Sequence, residues 1–373
     1  MEDVVNAFGS AYAGKRVLLT GHTGFKGGWL ALWLRELGAS VSGYSLAAEG
    51  ALNLFQILPV GMFESSILGD IRDRDSFFRA VRETRPDIVF HLAAQPIVGA
   101  SYREPLGTFA TNAMGTAHLL EALREARLPA AAVIVTSDKC YRNDDSGRAF
   151  VETDPLGGND VYSMSKAAAE LVTASWHASF FSKDEGLGPL ATGRAGNVIG
   201  GGDYAEDRIV PDAVRAHLAG DSLRLRNPAA TRPWQHVLES VSGYLALGAR
   251  LLQSPDRTKL LNFNFGPNHE AVRSVGDLVE TWLAAWPGAF GYERTPAPPY
   301  GEAARLSLDP SRAREELGWI PVWDFQRTVA ETAAWYRERH DSAKDADAML
   351  GFTLGQIASY CRDARAAGVS WIS

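Results

Sequence analysis

Apolar runs of strand length alternate with longer stretches of helical spacing through the first half of the chain. Strand candidates are Arg16 to Thr20, Ser40 to Tyr44, Ile88 to Ala93, Ala132 to Ser137 and Leu190 to Ala195. Helices are expected between them. Phe77, Phe78 and Val81 keep helical spacing up to the break at Pro86-Asp87, and Phe109, Leu119, Leu120 and Leu123 suit a helix closed by Pro129. Strands regularly separated by helical patterns are the sign of a parallel sheet covered on both faces, so the fold class expected is α/β, a Rossmann-type doubly wound sheet. After about Gly196 the alternation fades into loops such as Gly200-Gly201-Gly202-Asp203 and Arg226-Asn227-Pro228, which suggests a smaller substrate-binding lobe. Tyr244, Leu245, Leu247 and Leu251 mark a helix over about 237–252 that could return to the sheet. The division expected is a Rossmann-type sheet domain over 1–190, completed by about 232–260, with the lobe formed by 191–231 and 261–373. The proline-rich run at 296–299 reads as an extended loop.

Composition narrows the function classes. A chain of 373 residues, 46% hydrophobic and 22% charged, is ordinary globular protein, and no apolar run reaches the length of a membrane span. The acidic start at Glu2-Asp3 lacks the pattern of a secretory signal, which makes a cytoplasmic location the expectation. Two cysteines, Cys140 and Cys361, have no paired spacing, so neither a zinc site nor a disulfide framework is expected. With a net charge of −7 and no long basic run, the electrostatic footprint of a nucleic-acid binder is missing. His22 and His236 have no second ligand at metal-site spacing, and no metal is expected.

Chemistry enters with Gly21-His22-Thr23-Gly24-Phe25-Lys26-Gly27, which follows a strand directly and opens an apolar helix around Trp29, Leu30, Trp33 and Leu34. Such a turn lets backbone N–H groups approach a pyrophosphate at the positive end of a helix. The stretch after the second strand, Gly43-Tyr44-Ser45-Leu46, holds neither an acidic ribose clamp nor an arginine for a 2′-phosphate, which favours NAD over NADP only slightly. Asp70 could accept from an adenine amino group or be a solvated turn residue. Tyr162 and Lys166 stand at i and i+4 in Tyr162-Ser163-Met164-Ser165-Lys166, so their heads can meet one ligand. A phenol is a poor base at neutral pH unless a cation stabilises its phenolate, and Lys166 together with an oxidised nicotinamide is expected to supply that charge. Ser137, at a strand's carboxyl end, adds a hydroxyl that could orient a reacting alcohol, or could simply end the strand.

With these motifs in place, the chain resembles the extended short-chain dehydrogenase/reductases, and among them the sugar-nucleotide 4,6-dehydratases. The resemblance is carried by the glycine turn, by His91-Leu92-Ala93-Ala94-Gln95-Pro96, Thr136-Ser137-Asp138-Lys139-Cys140-Tyr141 and Tyr162 to Lys166. Two further blocks carry it in the second half, Arg194-Ala195-Gly196-Asn197-Val198-Ile199-Gly200-Gly201-Gly202-Asp203 and Arg232-Pro233-Trp234-Gln235-His236-Val237.

The resemblance implies an NAD cofactor and CDP-glucose or a related nucleotide sugar as substrate. It implies an internal redox cycle in which a hydride leaves sugar C4, water is lost across C5 and C6, and the hydride returns at C6. Cofactor contacts would come from Gly21, Thr23, Gly24, Phe25, Lys26, Gly27, Asp70, Ile71, Leu92, Ala93 and Ala94 together with Tyr162 and Lys166. Substrate contacts would come from Gln95, Asn197, Arg208, Arg226 and Arg232, arginine suiting a diphosphate through its bidentate fork. Tyr162, Lys166 and Ser137 would act at the C4 hydroxyl, and Asp138 and Lys139 at C5 and C6. The wider pattern has an Asp-Glu pair where this chain has Asp138-Lys139. A lysine is a base only when neutral, so joint acid and base roles are expected, the alternative being a structural ion pair between the two. Other readings remain: an epimerase or dehydratase for a dTDP-, UDP- or GDP-sugar, and a dinucleotide-sensing module without turnover. The family pairs through two Rossmann helices, which implies a homodimer or homotetramer.

Overall fold

In the computed structural model the described residues are 2–48, 50, 52–59, 61–268, 271–288, 291–295, 305–342 and 345–372. The proline run at 296–299 lies outside them. Seven parallel strands form the central sheet: β1 (Arg16–Thr20), β2 (Ser40–Ser45), β3 (Ser65–Leu68), β4 (Ile88–His91), β5 (Ala131–Val135), β6 (Leu190–Ala195) and β7 (Leu261–Phe265). Their spatial order is β7-β6-β5-β4-β1-β2-β3, so the winding reverses between β1 and β4. A crevice opens beyond the carboxyl ends at such a reversal, and every catalytic candidate lies along that edge.

Both faces of the sheet are covered, which is why the inner strands read as unbroken apolar runs. Alternate residues still part company: Val17 and Leu19 of β1 enter one buried cluster, Leu18 the other. On the first face lies α1 (Phe25–Glu36), whose Trp29, Leu30, Trp33 and Leu34 are all buried. On the second lie α2 (Arg74–Thr84) and α3 (Gly115–Glu125). Asp73 caps α2 by accepting from the Ser76 N–H, and Arg85 closes it in the left-handed conformation just before Pro86. The helix expected around Phe109 is in fact three consecutive pieces, Pro105–Phe109, a π-turn at Ala110–Met114, and α3, which stops at Glu125 ahead of Pro129. The helix that carries Tyr162 and Lys166 is α4 (Val161–Trp176), capped by Asp160, and α5 (Val237–Gln253) packs against β5 and β6.

Three differences from the sequence pattern stand out. Ser65–Leu68 forms a full edge strand although only half of its positions are shielded. Leu261–Phe265 is the opposite edge strand of the same sheet, inside the stretch assigned to the smaller lobe, because its Asn262 and Asn264 broke the apolar run. The strands expected to run to Ala93 and Ser137 end at His91 and Val135, since the chain leaves the ladder there to build the site loops. Beyond the sheet, short pairs join Thr231–Pro233 to Val272–Ser274 and Leu223–Leu225 to Tyr292–Arg294, and the helices Phe325–His340 and Ala346–Ala366 pack on each other. Among the described residues no helix is long and apolar enough to cross a membrane.

Candidate active site

The glycine turn is built by close approach. Gly21 has φ of +78°, and a Cβ there would lie 2.9 Å from the backbone nitrogen of Ala93. A Cβ on Gly27 would lie 2.0 Å from the Gly21 oxygen, so the first turn of α1 rests directly on the loop that leaves β1. Gly24 is the N-cap of α1 and donates to the Gly21 oxygen at 3.0 Å. Thr20 Oγ1 accepts from the N–H groups of Leu92 and Ala93, both at 3.1 Å, which seats the loop through Ala94 beside the turn. Thr23 donates to the Leu46 carbonyl at 2.9 Å and so accepts from Ser45 Oγ at 2.8 Å, fixing the chain after β2. The turn is thus a backbone cradle with no room for side chains, as a dinucleotide pyrophosphate requires. His22 turns away from it: its Nε2 meets Ser66 Oγ at 2.8 Å, and burial pushes the imidazole down to about 4.

Around the cradle, Asp70 is held by Arg72, whose Nη2 reaches it at 2.5 Å and holds the carboxyl below its usual range. Ile71 is buried, and its carbonyl meets His118 Nδ1. Gln95 spends its side chain on its own loop, donating to Thr108 Oγ1 at 2.8 Å and accepting from the Ile97 N–H at 2.6 Å. Asn112, from the π-turn, accepts from Gln95 N–H and donates to Ser165 Oγ on α4, so this loop is tied to the helix of Tyr162 and Lys166.

Ser137, Asp138 and Lys139 leave β5 in a single 3₁₀ turn. Ser137 caps it, accepting from the Lys139 N–H at 3.2 Å and donating to Asp138 Oδ1 at 2.9 Å. Asp138 is buried and its second oxygen, Oδ2, has no partner within the protein. Among the described residues no ion pair joins Lys139 to Asp138, whereas the sequence left that pairing open. Tyr162 is buried, and burial pushes its phenol up to about 12; Ser137, by hydrogen bonding, and the Arg208 charge pull it back. Lys166 is absent from those opposing influences: its Nζ donates to the Val135 carbonyl at 3.3 Å, and burial lowers the ammonium to about 8. The two side chains share a helix face as expected, but desolvation outweighs the neighbouring charge.

The cationic side of the cleft is Lys26 and Arg208. Lys26 reaches the Tyr244 hydroxyl at 3.3 Å, and burial, then Arg208 and Lys166, bring it down to about 7. Arg208 donates to Asp203 at 2.8 Å. Phe25 and Asn197 lie in the same region: the Phe25 ring sits under Gly200, and the Asn197 carbonyl accepts from Gln235 N–H. Arg226 pairs with Asp207 at 3.2 Å, and Arg232 is buried with Nη1 on the Thr231 carbonyl. His236 caps α5 in a cage of Trp29 and Trp323. Among the described residues no three His, Cys, Asp or Glu side chains gather as a metal site.

A family model, described as GDP-mannose 4,6 dehydratase, matches residues 18–332. The chain belongs to this family. It is 43% identical over 330 residues to the CDP-glucose 4,6-dehydratase of Salmonella typhimurium, covering 87% of this chain and 91% of that one. It is 32% identical to a dTDP-glucose 4,6-dehydratase of Streptomyces antibioticus, over 73% of this chain and 76% of the relative. In structure it is similar to the Streptomyces venezuelae dTDP-glucose 4,6-dehydratase DesIV with NAD and TYD bound, with a TM-score of 0.74 at 26% identity, over 88% and 98% of the chains. The Thermus thermophilus UDP-glucose 4-epimerase complex with NAD gives the same TM-score and identity, over 86% and 99%. Membership accounts for the reversed winding at β1 and β4. Sequence reasoning passed over Glu170, which follows Lys166 by one turn on α4 and pairs with Arg194 at 2.8 Å. The signal was present as a third polar position on the helix face of Tyr162 and Lys166.

Proposed function

We propose that this family member is an NAD-dependent hydro-lyase that converts CDP-D-glucose to CDP-4-keto-6-deoxy-D-glucose and water. The observation that carries the reading is the meeting of two chemistries at one buried edge: Tyr162 with Ser137 for a sugar hydroxyl, and Asp138 with an unpaired oxygen beside Lys139 for an elimination. The dinucleotide fits the cradle of Gly21, Gly24 and Gly27, with Thr23, Phe25 and Lys26 on one side, Asp70 and Ile71 at the adenosine end, and Leu92, Ala93 and Ala94 on the other. When bound, NAD supplies reversible hydride acceptance.

Tyr162 takes the proton of the C4 hydroxyl while Ser137 orients that hydroxyl. Lys166, whose Nζ lies on the Val135 carbonyl one helical turn from Tyr162, would hold the nicotinamide ribose. A carbonyl at C4 acidifies the C5 proton, and Asp138 and Lys139 divide between them the removal of that proton and the protonation of the departing C6 hydroxyl. Arg208, Arg226, Arg232 and Asn197 are proposed to hold the diphosphate, with Gln95 positioned at the sugar by its loop. The cytidine preference rests on the likeness to the Salmonella enzyme. Exposed Leu106, Phe109, Met164 and Leu171, on Pro105–Phe109 and α4, support a homodimer or homotetramer. Cys140 and Cys361 are buried and in no disulfide, in keeping with a reducing cytoplasmic setting.

Incubation with CDP-, dTDP-, UDP- and GDP-glucose, followed by mass and NMR analysis, tests the reading. Loss of water from CDP-glucose in preference to the others is the expected result. Inversion at C4 with no loss of mass would make the chain an epimerase instead.

A further inference from the structure

Glu170 stands two helical turns from Tyr162 and one from Lys166, on the face of α4 that meets the sheet. It forms a buried ion pair with Arg194 of β6, at 2.8 Å, with the two side chains only 3% and 2% exposed. The carboxylate accepts four bonds: Thr136 Oγ1 at 2.5 Å, Thr192 Oγ1 at 2.8 Å, Arg194 Nε at 3.0 Å and Arg194 Nη2 at 2.8 Å. Arg194 turns its remaining nitrogen, Nη1, to the Tyr141 hydroxyl at 2.7 Å and the Glu152 carbonyl at 3.1 Å. Tyr141 in turn donates to Asn264 Oδ1 at 2.7 Å.

Stability is a poor reason for such a pair, because desolvating two charges roughly cancels their attraction and an apolar replacement would pack as well. Its location supplies a better one. Thr136 immediately precedes Ser137, and Tyr141 immediately follows Cys140, so one ion pair grips both ends of the turn that carries Asp138 and Lys139. The same carboxylate belongs to the helix that carries Tyr162 and Lys166. We propose that Glu170 is a positioning residue for the reaction: paired with Arg194, it keeps Lys166 cationic and locks the Asp138-Lys139 turn in register with Tyr162. This rests on the reading of the site given above.

Charge supports the geometry. Burial is the largest influence on Lys166 and lowers its ammonium, while Cys140 on the turn and then Glu170 on its own helix raise it. Burial holds the Cys140 thiol well above its usual range and so uncharged, which leaves Glu170 as the anion that opposes burial at Lys166, and Lys166 in turn lowers Lys26 on α1 and His91 on β4. His91, itself pushed down to about 3 by burial and by Lys166, is neutral at working pH.

The test compares Glu170→Gln, Glu170→Asp and Thr136→Val in the full-length protein. Three readings are taken: NAD affinity by titration, the pH dependence of single-turnover reduction at the cofactor, and C5 deuterium exchange in D₂O. Loss of the carboxylate charge in Glu170→Gln should move the alkaline limb of the pH profile down by about one unit. Glu170→Asp keeps the charge and should leave the limb in place, even if its rate is lower. Thr136→Val keeps the ion pair, and should slow C5 exchange relative to reduction by ~10-fold with an unmoved limb. NAD affinity should stay within about threefold in all three variants, since the glycine cradle is untouched. If Glu170→Gln does not fold, the double variant Glu170→Gln/Arg194→Gln strands no lone charge and should move the limb in the same direction. Equal rate losses with an unchanged limb and an unchanged ratio of exchange to reduction would make the pair purely structural and overturn the proposal. Failure of the unsubstituted protein to dehydrate any sugar nucleotide would remove the reading of the site instead.

Discussion

Replacing Gly27 with alanine places one methyl group where the structure has none to spare. The new Cβ would stand 2.0 Å from the Gly21 oxygen, 2.8 Å from the Gly21 carbonyl carbon and 2.9 Å from His22 Cα. Carbon settles at about 3.5 Å or more from such atoms, so α1 and the turn must separate by more than about 1 Å. All three neighbours are backbone, and no side-chain rotation relieves the clash. Overpacking of this kind costs ~1–3 kcal/mol, and in a chain of this size it should lower the melting temperature by a few degrees. The larger effect is expected on the cofactor, because the displaced backbone belongs to the turn proposed to hold the pyrophosphate through its N–H groups. At about 1 kcal/mol per weakened bond, NAD affinity should fall by at least ~10-fold. The control is Gly355→Ala, in the helix Ala346–Ala366, where a Cβ meets nothing within 4 Å. It should gain up to ~1 kcal/mol of stability from helix propensity and leave NAD binding unchanged. Calorimetric NAD titration and thermal melts of both variants provide the assay. Parental NAD affinity in Gly27→Ala would refute the placement of the dinucleotide on this turn.

Tyr162→Phe should bind NAD as the parent does while slowing reduction at the cofactor by ~10²–10⁴-fold, read in a single turnover. Lys139→Ala should still permit that reduction but slow exchange of the C5 proton with solvent; unchanged exchange would take Lys139 out of the mechanism. Burial sets the folded Lys166 ammonium at about 8, below its unfolded value near ~10.4. Between those two values the unfolded chain binds more protons, so this group's contribution to stability rises with pH across that window and is least favourable below it. Activity that needs the cation should fall above about pH 8, and Lys166→Met should abolish that dependence of stability when the two are melted side by side. Glu239 accepts from the N–H groups of half-buried Val322 and buried Trp323 and from the buried Tyr360 hydroxyl. Glu239→Ala orphans them and should destabilise the protein by ~3–5 kcal/mol in denaturant titration, with no change in the pH profile of the residual activity.

The architecture was readable where burial on both faces made the strands unbroken apolar runs, as at Val17 to Leu19 and Ile88 to Phe90. It was unreadable where a strand mixes polar and apolar positions. Ser65–Leu68 is an edge with half its residues exposed, and Asn264 of β7 is polar because its amide bonds the Phe150 carbonyl and its oxygen accepts from Tyr141. Those partners are more than a hundred residues away, beyond any local pattern. The site divides in the same manner. Spacing alone placed Tyr162 beside Lys166, but not the weight of burial on the phenol, nor the choice of Ser137 and Arg208 as the groups that oppose it. Gln95 was expected at the substrate from its place in a motif, and local spacing gave no sign that its amide also ties its loop together through Thr108 and Ile97. Glu170 and Arg194, 24 residues apart and on different elements, acquire meaning only once β6 lies beside β5.

The central claim is that one active site removes a hydride from the sugar and gives the same hydride back. CDP-glucose carrying deuterium at C4 measures this directly. The product should contain the label at C6, undiluted by solvent, with no reduced cofactor accumulating. Label found in free reduced cofactor, or a C6 hydrogen drawn from water, would contradict the account.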